Sequence, residues 1–143
     1  MVTESAFGSG AVFTHRKGKD IAILAYGTMI NQAIECAEIL SQQGIDAAVI
    51  RLLEVSPLPV GEILEKLGGC KHILIPEETC TGSGIHEALS WELLRKNPDL
   101  RIHAVDLGKH FVTHGSIDML YKTHGLDGAS LANTAVEVLK NEN

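Results

Sequence analysis

Short, almost unbroken apolar runs alternate along this chain with stretches in which apolar residues recur every three or four positions. Residues 100–106, with Arg101, His103 and Asp106 interspersed, read as a fourth strand, and 21–26, 46–53 and 72–75 are the runs. Each is too short and too aliphatic for a surface helix, which predicts strands covered on both faces. Between them, Ile30, Ala33, Ile34, Ala37 and Leu40 mark a helical face over 29–43. Ile63, Leu64 and Leu67 do the same for 60–67, and Ile85, Leu89, Leu93 and Leu94 for a helix that ends near Lys96. A short helix over 117–123, capped by Ser116, precedes a last one over 127–140 with Leu131, Ala135, Val138 and Leu139 inward. Gly44, Gly68, Gly69 and Gly125 supply the stops. Residues 11–15 alternate weakly and suit an edge strand. Pro76 is expected to end the ladder of the third buried strand, since proline has no N–H to donate.

Strands alternating with helices predict a three-layer α/β/α domain. Its sheet is mostly parallel, of about five strands, with 11–15 as an antiparallel edge. Residues 1–10, small and polar, form a linker or arm, and 11–143 form the domain. The turns after the parallel strands emerge at one edge of the sheet, where open α/β domains place their sites. Thr28, Glu77, Glu78, Thr81, Gly82, Gly84, His110 and His114 fall there and form the candidate edge for an anion or a partner.

Each group at that edge also has a plainer use. Gly82-Ser83-Gly84 holds a G-x-G, but Glu87 stands where a dinucleotide fingerprint needs glycine or alanine. Backbone N–H groups at this helix start can hold a phosphate or a carboxylate, or Thr81 or Ser83 can cap it. Glu77 and Glu78 are adjacent in an extended segment and point to opposite faces, so they make a poor acid–base pair. One is expected to turn inward and hold a neighbouring loop, the other to be solvated or to meet a partner. His110 and His114 have metal-ligand spacing, but Gly108 and Gly115 bracket them and no glutamate follows the first. Trp91 reads as a packing residue. Cys80 has no local His/Asp set to activate it. The residues alone give no complete catalytic constellation.

Composition narrows the class. Twelve Lys plus Arg against 18 Asp plus Glu give a net charge of −6, with no basic run. Nucleic acid and anionic membrane are therefore not expected partners. Three scattered cysteines suit a reducing cytoplasm. The first ten residues lack the basic start and apolar centre of a signal peptide, and no apolar run approaches the roughly 20 residues of a membrane helix.

Several segments together resemble the carboxyl-terminal domain of the transketolase family. They are residues 20–28 before an Ala-rich helix, the strand with Arg51 and its Pro57-Leu58-Pro59 turn, and Pro76-Glu77-Glu78-Thr79 with Gly82-Ser83-Gly84. Residues 108–115, before Gly125-Leu126-Asp127-Gly128, are most similar to the 1-deoxy-D-xylulose-5-phosphate synthase branch, with Lys109-His110 where that branch usually has Asp-Arg. The resemblance spans about residues 11–140. It implies an enzyme that uses thiamine diphosphate and Mg2+ to transfer two-carbon units, both held by two preceding domains. No cofactor or metal is expected on this chain, which lacks the family's Gly-Asp-Gly metal motif. The implied role is that of a non-catalytic third domain or split subunit. Its partners are the N-terminal and middle domains or a second copy of itself, with a proposed regulatory function. A free-standing module that binds a small anion through Thr28, Gly82 and His110 is the alternative.

Overall fold

The computed structural model describes residues 10–79, 82–108 and 117–141. Five strands, β1 (Val12–Arg16), β2 (Ile21–Tyr26), β3 (Ala47–Leu52), β4 (His72–Pro76) and β5 (Arg101–Val105), form one sheet in the order β1-β3-β2-β4-β5. β1 runs antiparallel to β3, from Val12 opposite Leu52, with a register shift between Thr14 and Arg16. The remaining pairs are parallel, as expected.

The helices are α1 (Met29–Gln42), α2 (Val60–Lys66), α3 (His86–Lys96), α4 (Ile117–His124) and α5 (Gly128–Lys140). They cover both faces of the sheet. Ile21, Ile23 and Ala25 of β2 pack with α1, Tyr121 of α4, and Leu131, Ala132 and Ala135 of α5. Ala22 and Leu24, on the other face, pack with Ile63 of α2 and with Leu89 and Leu93 of α3. Successive side chains point to opposite faces, so an unbroken apolar run is what a doubly covered strand requires. No helix among the described residues is long and apolar enough to cross a membrane.

Pro76 is the last residue of β4, as expected, and pairs with Val105. The N–H of Glu77 still donates to Val105 O at 2.8 Å. Backbone N–H groups alternate sides along a strand, so the one proline lacks faces β2, where the pairing has already stopped at Ile23 and Leu74. One local expectation changes, on α3. Trp91 is 67% exposed and Leu94 38%, so neither belongs to the core. The inward residues are Leu89 and Leu93, and Trp91 lies two positions from each, on the far side of the helix.

The chain order places a crevice. From β2 the chain crosses to β3 through α1 on one face. From β4 it crosses to β5 through α3 on the other. Two neighbouring parallel strands whose connections leave in opposite directions open a gap at their carboxyl ends. Here the gap lies between the ends of β2 and β4, beside Tyr26, Thr28, Glu77 and Glu78.

Candidate functional site at the carboxyl ends of β2 and β4

Glu77 is fully buried, although it follows the last residue of a strand. Its Oε2 accepts from the phenol of Tyr26 at 2.6 Å and from the N–H of Ile85 at 2.7 Å. Its Oε1 accepts from the N–H of His86 at 2.9 Å and from His86 Nδ1. A carboxylate has about four acceptor sites, and here four donors fill them. Because the carboxylate only accepts, the imidazole proton sits on Nδ1. Burial, and then the carboxylate beside it, push the Tyr26 hydroxyl well above the ordinary tyrosine pKa, so it stays a donor.

This cluster corrects the expected helix cap. The N-cap of α3 is Ile85, without a side-chain cap hydrogen bond. Ser83 does not take that place. The orphan N–H groups of the first turn are satisfied by Glu77, eight and nine residues upstream. The anion read into this helix start is therefore the chain's own carboxylate. Gly84 is required by the same packing: a Cβ there would lie 2.6 Å from both Glu77 Cδ and Thr79 Oγ1. Gly82 takes φ +88°, a conformation that favours glycine.

Glu78 points the other way and is exposed. Its Oε2 accepts from Thr28 Oγ1 at 2.8 Å, and Thr28 Oγ1 lies 3.5 Å from the Tyr121 hydroxyl of α4. Thr28 is the N-cap of α1 but makes no side-chain cap bond, and its hydroxyl donates to Glu78. Tyr26, Gly27, Thr28, Met29, Glu78 and Thr79 line a cavity of about 230 Å3. Among the described residues its one ionisable carboxylate is Glu78, and none of them that lines it is Lys or Arg, a poor match to an anion.

The sequence expectation of one inward and one outward glutamate holds. The structure brings Thr28, Glu77, Glu78, Gly82 and Gly84 to one rim. Thr81, Cys80, His110 and His114 lie outside the described residues, as does Ser116. Tyr26, Tyr121 and His86 belong to the rim and were not singled out from sequence. Tyr26 ends an apolar run, which is the signal that could have found it. Among the described residues no group of three His, Cys, Asp or Glu is placed to hold a metal ion. Cys36 and Cys70 are buried, and burial first, then nearby carboxylates, raise both thiols, Cys36 to about 12. Neither is an activated nucleophile.

Residues 10–131 match the family described as "Transketolase, C-terminal domain". The chain belongs to this family. Among its curated relatives, the 1-deoxy-D-xylulose-5-phosphate synthase of Chlorobaculum tepidum is 35% identical over 127 residues, covering 89% of this chain and 20% of that protein. The synthase of Halothermothrix orenii is 34% identical over 125 residues, covering 85% of this chain and 19% of that protein. Among solved structures, a split-gene transketolase, described as an inactive β4 tetramer, superposes with a TM-score of 0.78 at 22% identity. It covers 90% of this chain and 41% of the other. A Pichia stipitis transketolase gives 0.69 at 19% identity, over 96% and 19%. These likenesses confirm the fold of a transketolase C-terminal domain. The chain spans about a fifth of the length of the curated relatives it matches.

Proposed function

We propose that this transketolase C-terminal domain serves a thiamine-diphosphate-dependent two-carbon transferase of the 1-deoxy-D-xylulose-5-phosphate synthase type, as a scaffold rather than as a seat of chemistry. Residues 1–10 act as the end of an interdomain linker and 11–143 as the domain. Its partners are the N-terminal and middle domains of that enzyme, which hold thiamine diphosphate and Mg2+, and the assembly works in the cytoplasm. The observation that carries this reading is the Glu77 cluster. At the crevice where an α/β domain keeps a ligand site, the best-built set of polar groups is saturated by its own donors. It ties β2, β4 and α3 together and leaves no acceptor of Glu77 for a substrate. The residues described do not fit a metal or a diphosphate.

The exposed half of the rim, Thr28 and Glu78 with Gly82, is then the surface offered to a partner. The test is complementation. A synthase polypeptide truncated after its middle domain is mixed with this chain, thiamine diphosphate and Mg2+, and formation of 1-deoxy-D-xylulose 5-phosphate is followed. Recovery of activity with co-elution supports the reading. Turnover by this chain alone, or no gain and no co-elution with any such polypeptide, overturns it. The anion alternative predicts that phosphate or a sugar phosphate raises the melting temperature. Glu78 and the internal occupant of the α3 start both argue against that.

A further inference from the structure

The amino-terminal edge of the sheet, opposite the Glu77 crevice, holds a second cavity. Thr14, Lys17, Gly18, Glu65, Lys66 and Gly68 line about 420 Å3, within the roughly 300–1,000 Å3 of small-molecule sites. One wall is the end of β1 and the turn into β2. The other is the end of α2 and the turn that leaves it. Both walls are tied down. The N–H groups of Lys19 and Asp20 donate to Asp46 O at 3.2 and 2.9 Å. Gly18 lies so close to β3 that a Cβ there would collide with the backbone of Ala47 and Ala48. Its carbonyl accepts from Cys70 Sγ at 3.3 Å, which joins the two walls.

The polar groups of this cavity lack partners. Thr14 Oγ1 is buried without a hydrogen bond, which is costly for a hydroxyl that water cannot reach. Lys17 and Lys66 line the same space, and among the described residues neither forms an ion pair or a hydrogen bond. Two ammonium groups around one cavity repel each other until an anion stands between them. Lys66 has a plainer use against the dipole of α2, in whose last turn it lies. Lys17, on a turn, has none. Asp20 and Asp46 of the same turns are engaged elsewhere: Asp20 Oδ2 accepts from the Asp46 N–H at 2.7 Å, and Asp46 Oδ1 lies 4.0 Å from Arg16. Glu65 is the one carboxylate in the described lining. It only accepts, so it suits a hydroxyl and not a second anionic group.

We propose that this cavity binds a phosphomonoester that also carries hydroxyl groups, the chemistry of a sugar phosphate. Lys17 and Lys66 hold the phosphate, Thr14 Oγ1 donates to one of its oxygens, and Glu65 accepts from a hydroxyl. The three donors come from three elements: β1, the turn into β2, and α2. A tetrahedral group with three terminal oxygens can meet all of them, whereas a planar carboxylate has two. The site is separate from the Glu77 cluster and from the Thr28–Glu78 rim, and it does not depend on the scaffold reading.

Calorimetric titrations and thermal melts of the 143-residue chain test it, with inorganic phosphate, ribose 5-phosphate, ribose and sodium chloride as probes at one ionic strength. Both phosphates bind and raise the melting temperature saturably, ribose 5-phosphate several-fold tighter, while ribose and chloride do neither. Lys17→Ala and Lys66→Ala each weaken binding about tenfold, the loss of one charged hydrogen bond. Glu65→Ala keeps inorganic phosphate and brings ribose 5-phosphate down to parity with it. Thr14→Val weakens binding without lowering the melting temperature of the free chain, because no group of the fold loses a bond. No binding of either phosphate, an equal effect of chloride, or binding that survives both lysine substitutions overturns the proposal. So does a Thr14→Val chain that melts lower with its affinity intact, since the hydroxyl would then serve the fold. A thermal rise abolished by Glu78→Gln and not by Lys17→Ala also overturns it, and moves the ligand to the carboxyl edge. Binding with the expected pattern in a chain that fails to activate the truncated synthase supports this site and sinks only the scaffold function.

Discussion

Glu77 and Glu78 are neighbours in sequence and opposites in the fold. The first lies behind the β4–α3 crossing, fully buried, with four donors on its two oxygens. The second faces the β2–α1 crossing, exposed, with the hydroxyl of Thr28 on one oxygen. One carboxylate is structure, because taking its charge out of water is tolerable only with every lone pair satisfied. The other is surface, and an exposed hydrogen bond there adds little. Two adjacent strand-end acids can therefore look like a catalytic pair while sharing no task.

The largest test of that contrast is Glu77→Ala. It strands the N–H groups of Ile85 and His86 and the phenol of Tyr26 in a dry site. Removing one side of such a buried charged network costs about 3–5 kcal/mol, read as a fall in the urea midpoint. A loss below about 1 kcal/mol would make Glu77 no different from Glu78. Gly84→Ala comes next, since its Cβ meets the Glu77 carboxyl group and the Thr79 hydroxyl at 2.6 Å. Backbone must shift to admit it, for about 2–3 kcal/mol. Gly27→Ala, at φ +60° with nothing within 4 Å, is the control on the other crossing and costs about 1–2 kcal/mol from conformation alone.

Tyr26→Phe sharpens the comparison by removing one donor of the four. The expected loss at neutral pH is about 1–2 kcal/mol. The pH profile carries a second signature. The phenol ionises at 10.0 in an unfolded chain and higher in the fold, where burial and Glu77 oppose the phenolate. Its contribution is fully present below pH 10 and is lost as pH rises from 10 toward the folded-state value, where the unfolded chain gives up the proton first. Wild type should lose stability across that alkaline range faster than Tyr26→Phe. Parallel profiles would place the hydroxyl in water rather than against Glu77.

Much of this fold was legible in the chain. Ile21 to Ala25 is aliphatic at every position because both faces of β2 are covered. The antiparallel edge was legible from weak alternation over residues 11–15. The opposition of Glu77 and Glu78 followed from the pleat. What Glu77 holds did not. A local cap leaves a short motif, such as a Ser or Thr three residues before a Glu. Here the cap arrives from eight and nine residues away and Tyr26 from 51, a pairing set by which strands adjoin. Trp91 was misread because aromatic identity suggests a core, whereas its spacing from Leu89 and Leu93 already put it outside.

The smallest predicted effects fall on the open side of the rim. Thr28→Val removes the hydroxyl that bonds Glu78, and Glu78→Gln removes the charge while keeping the shape. Each should change stability by less than about 0.5 kcal/mol, and Glu78→Gln should not move the urea midpoint beyond error. These are not idle substitutions. A rim that contributes so little to its own domain is free to be specified by what docks on it. In the complementation assay, Glu78→Arg should therefore weaken binding to the truncated synthase several-fold while the isolated domain melts where it did before. Equal losses in the melt and in the assay would mean that Glu78, like Glu77, belongs to the fold, and the contrast between the two crossings would disappear.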